Sequence, residues 1–211
     1  VSLALLFLLR NFICLALLPA LFAWMLIAKT KWPAALVFAA VYLACGLLVF
    51  NINSIVPNIN PLEIITTKQT EYLKLDKAAT QIELTPLQPG FKSFASNTPQ
   101  ALNHAFLRPY LWELPVKSIL PLSIELFVYQ ALIVLMVLFK KRDRTTDQKQ
   151  FLFFAIFFTI SIFLIIGYIV PNLGSLVRYR SLYYPLLITP ALCFINWELI
   201  LGDFQIKNKT M

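Results

Sequence analysis

The chain of 211 residues has little charge and few of the side chains that build metal or nucleophile sites. Only 13% of its residues are charged, against about 25% in soluble domains, while 59% are apolar. It has one histidine, His104, and three cysteines without CxxC spacing. No HExxH, phosphate-binding glycine loop or GxSxG motif occurs. We therefore expect no bound metal and no cofactor.

The apolar residues are concentrated in long segments. Mean hydropathy is +0.75. Five segments approach the roughly 20 apolar residues that cross a bilayer. They are residues 11–28, 32–50, 118–139, 151–170 and 182–201. The sequence predicts an all-α fold, a polytopic transmembrane helix bundle of about five spans, with the lipid bilayer as its surroundings.

The basic residues predict how the chain is oriented. The net charge is +8, but these residues cluster beside the apolar segments, as at Lys29, Lys31 and 140–144, so we expect no nucleic-acid partner. Short basic connections favour the cytoplasm. We expect a bacterial inner-membrane protein with a cytoplasmic C-terminus and with residues 171–180 on the outer, periplasmic face.

Three regions follow from this orientation. Residues 1–50 form an N-terminal membrane segment with two spans, and residues 118–211 form a C-terminal segment with three. Residues 51–117 between them form an outer loop, for which we predict short helices at 67–78 and 98–107. This loop has too little apolar surface for a core of its own, so we expect it to cover the bundle as a lid. Because the chain begins Val1-Ser2-Leu3, we expect it to be a fragment or a processed product.

The segment between the last two apolar stretches is unusually polar. It contains Arg178, Tyr179 and Arg180. In a helix, positions two apart face different directions, so one arginine could pair with a carboxylate while the other meets an anion. The arginine fork suits phosphate. The alternative is that both arginines reach lipid headgroups beside an aromatic belt.

Other candidate residues are acidic or titratable. Glu125 lies inside the third predicted span and needs a partner there, for which Arg178 or Arg180 is the candidate. That pair would either fix helix packing or face a substrate. His104 and Glu113 could form an acid–base pair, although a lone histidine is also an ordinary hydrogen-bonded helix residue.

Two stretches resemble polysaccharide-biosynthesis proteins. They are Leu107-Arg108-Pro109-Tyr110-Leu111-Trp112-Glu113 and Pro171-Asn172-Leu173-Gly174-Ser175-Leu176-Val177-Arg178-Tyr179-Arg180, the latter followed by Pro185. They are similar to the C-terminal part of O-antigen-polymerase-like and GT-C-like membrane glycosyltransferases, and to membrane proteins from Bacteroidetes. The chain lacks the acidic residues of a first outer loop that a GT-C enzyme uses as its base.

The resemblance implies a function. In that group the outer face handles polyprenyl-phosphate-linked sugars, so Arg178 and Arg180 would hold the phosphate or glycan, with Tyr179, Glu125 and Arg108 in the same substrate-binding set. His104 and Glu113 would be the catalytic residues of a glycan polymerase or glycosyltransferase. Two other hypotheses are a non-catalytic subunit bound to other membrane subunits of a cell-envelope assembly, and a transporter fragment.

Overall fold

A computed structural model of the chain describes residues 11–56, 60–75, 80–113, 120–141 and 145–200. Within these residues the fold is helical, with only two isolated β-bridges. The predicted all-α class is confirmed. The helices are α1 (Asn11–Lys29), α2 (Ala34–Ile55), α3 (Pro61–Leu73), α4 (Phe91–Phe106), α5 (Leu120–Leu138), α6 (Thr146–Ile169), α7 (Leu173–Arg180) and α8 (Tyr184–Phe194).

The chain is a membrane protein. Among the described helices, three are long and apolar enough to cross a bilayer: Ala34–Ser54 within α2, and the whole of α5 and α6. Two shorter apolar helices, Ile13–Lys29 within α1 and the whole of α8, occupy the positions of the first and last predicted spans. We call the side where α2 and α6 end and α5 begins the loop face.

Helix α6 is the centre of the bundle. A capping box between Thr145 and Gln148 satisfies its first backbone N–H groups, so the helix begins sharply there. Ile162 and Phe163 on α6 are fully buried. Helices α1, α2, α3, α4, α7 and α8 all contact α6.

Helix α4 does not lie over the bundle as the lid we expected. It packs along the last turns of α6, with Phe94 against Tyr168 at 5.1 Å and Phe106 against Phe163 at 4.7 Å between ring centroids. Phe163 lies six residues before the end of α6, or about 9 Å along its axis. The carboxyl end of α4 is therefore inserted among the helices. The predicted start of this helix was also wrong, because it begins at Phe91 and contains Pro99 in its interior.

The last predicted span is interrupted. Helix α8 has 11 residues, which is about 16 Å and too short for a hydrocarbon core of about 30 Å. It ends at Phe194, where Ile195 pairs with Lys140 as an isolated bridge. Asn196 then donates its N–H to the Phe139 carbonyl at 2.7 Å. The end of α8 is thus tied to the end of α5.

The contact between α4 and α6 depends on Gly167. A Cβ added at Gly167 would lie 2.1 Å from the carbonyl oxygen of Ala101, an overlap with backbone that no rotamer change relieves. We expect Gly167→Ala to lower the free energy of unfolding by about 2 kcal/mol or more. Gly46→Ala is the matched control, because a Cβ at Gly46 meets nothing within 4 Å. Thermal unfolding in detergent compares the two, and equal midpoints would contradict the close packing.

Candidate functional site

The carboxyl end of α4 receives side chains from three other helices. Gln130 on α5 donates to the Phe106 carbonyl at 3.0 Å, and the Tyr184 hydroxyl on α8 donates to the same oxygen at 3.1 Å. Arg180 on α7 donates from Nη1 to the Ala105 carbonyl at 3.1 Å and also to the Arg108 carbonyl. The last carbonyls of a helix lack partners within it, so these donors satisfy them. A cation there also complements the negative end of the helix dipole.

Arg180 is held in place rather than free. Its side chain is 3% exposed, and its guanidinium lies over the Tyr184 ring at 5.5 Å. Burial lowers the pKa of Arg180, while Tyr184 and Glu125 oppose that shift. The Asn172 side chain caps the first N–H groups of α7. This helix ends at Arg180, whose side chain reaches the end of α4.

Arg178 lies two residues away in a different environment. Its side chain is exposed, and its guanidinium lies over the Tyr179 ring at 5.5 Å. The Tyr179 hydroxyl in turn lies 3.4 Å from the hydroxyl of Tyr72 on α3. The structure thus places one arginine of the pair against the buried end of α4 and the other at the surface of the loop face.

A cleft lies between α5 and the α7–α8 segment. It leaves about 20 Å³ for the centres of water-sized molecules, and its lining residues are Leu122, Glu125, Leu126, Tyr129, Val177, Arg180, Ser181 and Tyr184. Glu125 is exposed, and its Oε1 accepts a hydrogen bond from the Tyr129 hydroxyl at 2.6 Å. Glu125 and Arg180 share this cleft, but among the described contacts they form no ion pair.

His104, Arg108 and Glu113 form a second cluster. Arg108 Nη2 lies 3.3 Å from Glu113 Oε1, and Arg108 Nη1 lies 3.5 Å from His104 Nε2. Arg108 therefore stands between the two residues that we expected to act as a direct acid–base pair. Burial, and then the Arg108 charge, lowers the pKa of His104 to about 4, so the imidazole is neutral near pH 7.

The cluster continues into an aromatic pair. Tyr110 and Trp112 stack at 4.8 Å between ring centroids, and the Arg108 guanidinium lies 6.0 Å from the centre of the Tyr110 ring. The Tyr110 hydroxyl donates to Asn103 Oδ1 at 2.5 Å. These contacts join the chain after α4 to the last turn of that helix.

The arrangement offers hydrogen bonds and charge rather than metal ligands. Within the described parts of the chain, no group of three or more His, Cys, Asp or Glu side chains is placed to hold a metal ion. The site can hold an anion at an exposed guanidinium and a polar group in the cleft.

Sequence reasoning missed the residues that organise this site. Gln130 and Tyr129 lie in apolar segments, where the sequence gave no reason to choose them over other polar residues, and Tyr184 was considered only as part of an aromatic belt. A polar residue inside a predicted span is nevertheless a useful indicator of a buried partner. Gln69 on α3 was missed too: it is 2% exposed and donates to the Tyr168 carbonyl at 2.8 Å.

No protein-family model matches the chain, and no curated protein or solved structure shows significant similarity to it. The residues of the site must therefore carry any functional proposal.

Arg180 stabilises the fold through its hydrogen bonds to α4. We expect Arg180→Gln to lower the free energy of unfolding by about 2–3 kcal/mol, because charged donors to buried carbonyls are lost. The control Arg178→Gln, at an exposed position, changes it by less than about 0.5 kcal/mol. Unfolding midpoints in detergent measure both. Equal effects of the two substitutions would show that Arg180 does not hold the end of α4.

His104 makes stability depend on pH. Its pKa in the folded state, about 4, is below the usual 6.5, so the unfolded chain binds the proton more readily. Stability is then lost as the pH falls from 6.5 through 4, by as much as about 3 kcal/mol. We expect His104→Gln to flatten this part of the pH profile relative to the native protein. Unfolding midpoints from pH 7 to pH 4 test this, and parallel profiles would contradict it.

Proposed function

We propose that the protein is a membrane-embedded glycan polymerase or glycosyltransferase-like protein that acts on a polyprenyl-phosphate-linked sugar at the loop face. The observation that carries the proposal is the cleft beside α5, which Glu125 and Arg180 both line, with the exposed Arg178 two residues before Arg180 on α7. Ionisable side chains inside an apolar helix are costly in lipid and mark functional positions. A substrate with a lipid tail and a polar head suits such a place.

The two arginines have different roles in this proposal. Arg178 is exposed and binds the phosphate, because a guanidinium can donate two parallel hydrogen bonds to its oxygens. Tyr179 supports it with its ring face. Arg180 keeps the end of α4 in position and forms one wall of the cleft.

His104, Arg108 and Glu113 form the second part of the proposed site. Both His104 and Glu113 contact Arg108, which links them into one cluster at the end of α4. In this proposal, a proton transferred to or from the substrate moves through Glu113, which is the more exposed of the two. The loop face is then the outer face of a bacterial inner membrane, and the C-terminus is cytoplasmic.

Binding of the phosphate at Arg178 is tested with the purified protein in nanodiscs of neutral phospholipid. The probe is a photoreactive polyprenyl phosphate, competed with unlabelled lipid to give a Kd. We expect Arg178→Gln to weaken binding about tenfold, because charge-assisted hydrogen bonds to the phosphate are lost.

Two controls make this test specific. Lys92→Gln removes an exposed basic charge from the first turn of α4 and should leave the Kd unchanged. Polyprenol, which lacks the phosphate, should compete poorly. Equal competition by polyprenol, or unchanged binding in Arg178→Gln, would overturn the proposal.

A further inference from the structure

We propose that the cleft between α5 and the α7–α8 segment takes one hydroxyl group of the sugar, and that the lipid phosphate stays outside it. This inference rests on the function proposed above and names the part of the substrate that each charge recognises. The size of the cleft and the charges of its lining residues carry it.

The size of the cleft limits how much of a ligand enters it. The space for the centres of water-sized molecules is about 20 Å³. One water needs roughly 10–15 Å³ by this measure, so the cleft holds one group of that size. A hydroxyl fits this space. A single phosphate oxygen would fit as well, so the charges of the cleft must distinguish the two groups.

The charges in the cleft match a group that both donates and accepts. The Glu125 carboxylate only accepts hydrogen bonds, and the Tyr129 hydroxyl already occupies one position on its Oε1. The Arg180 guanidinium only donates, and its described bonds to α4 use Nη1 alone out of five N–H donors. A hydroxyl can donate to Glu125 and accept from Arg180 at once. The oxygens of an ionised phosphate accept hydrogen bonds, and the Glu125 carboxylate repels their negative charge.

The rest of the sugar ring lies outside the cleft. Tyr129 and Tyr184 line the cleft with ring centroids 5.1 Å apart and planes tilted by 32°. Tyr184 is 2% exposed and its ring also contacts Phe163, so this pair closes the inner side of the cleft. Glu125 is exposed, so a group arriving along α5 reaches it without a change in the fold. Arg178 is exposed and does not line the cleft, so it is left for the phosphate.

The experiment compares two lipids bound to the purified protein in neutral nanodiscs. One is polyprenyl phosphate, and the other is the same lipid carrying a single hexose. We expect the hexose to tighten binding to the native protein. Glu125→Gln should weaken binding of the hexose lipid about tenfold, because the hydrogen bond from the sugar hydroxyl to a charged acceptor is lost. It should leave the affinity for polyprenyl phosphate unchanged.

The substitution is chosen to preserve the fold. Glutamine keeps an oxygen that can accept from the Tyr129 hydroxyl, and the position is exposed. Glu83→Gln, at an exposed carboxylate in the chain between α3 and α4, is the matched control and should change neither affinity. Lipids carrying deoxy-hexoses extend the test. The analogue that lacks the bound hydroxyl should bind the native protein and Glu125→Gln equally.

Each outcome separates this inference from the proposed function. If Glu125→Gln weakens both lipids equally, or neither, the hydroxyl assignment is wrong. The Arg178→Gln result with polyprenyl phosphate alone is read separately from that failure, because Arg178 does not line the cleft. If Arg178→Gln alone removes the preference for the hexose lipid, the sugar lies outside the cleft and the inference is overturned.

Discussion

The carboxyl end of α4 needs hydrogen-bond donors, because it ends beside the middle of α5 and not in water. An unpaired carbonyl in such a place costs several kcal/mol, so a helix can end among apolar helices only where other side chains reach it. Gln130, Tyr184 and Arg180 supply those donors from three separate helices. Hydrogen bonds to the end of α4 therefore tie α5, α7 and α8 together, and residues of the same three helices line the cleft.

This constraint gives the two arginines of one short helix different roles. Arg180 is buried against carbonyl oxygens, whereas Arg178 remains exposed beside Tyr179. Arg180 forms no ion pair with the residues that the structure describes, and its buried guanidinium is tolerated because it donates to carbonyl oxygens of the chain at the end of α4. It also keeps a positive charge beside Glu125, so the cleft has one wall with a hydrogen-bond acceptor and one wall with a donor. Preorganised polar groups of this kind are what a recognition site requires.

Part of the fold could be predicted, and the failures have physical reasons. The apolar segments at α2, α5 and α6 were identified because length and hydropathy suffice for a helix that crosses a bilayer. The start of α4 was missed because Pro99 suggested a first helical turn, yet the helix passes through it from Phe91. The break at Ile195 was missed because residues 182–201 are apolar overall despite Asn196 and Glu198, while pairing with Lys140 ends the helix. Such pairing joins residues far apart in sequence.

By itself the sequence determined that this is an all-helical membrane protein, since apolar content and segment length leave few other ways to satisfy the backbone in lipid. It also singled out Arg178, Arg180, Glu125 and His104 as candidate site residues, and Glu125 as a residue in need of a partner. Only the tertiary structure decided which partners they have. Arg180 meets the end of α4, Glu125 meets Tyr129, and His104 meets Arg108. The burial and the hydrogen bonds of a charged side chain depend on where along the bundle the neighbouring helices end. A local sequence pattern does not contain that information.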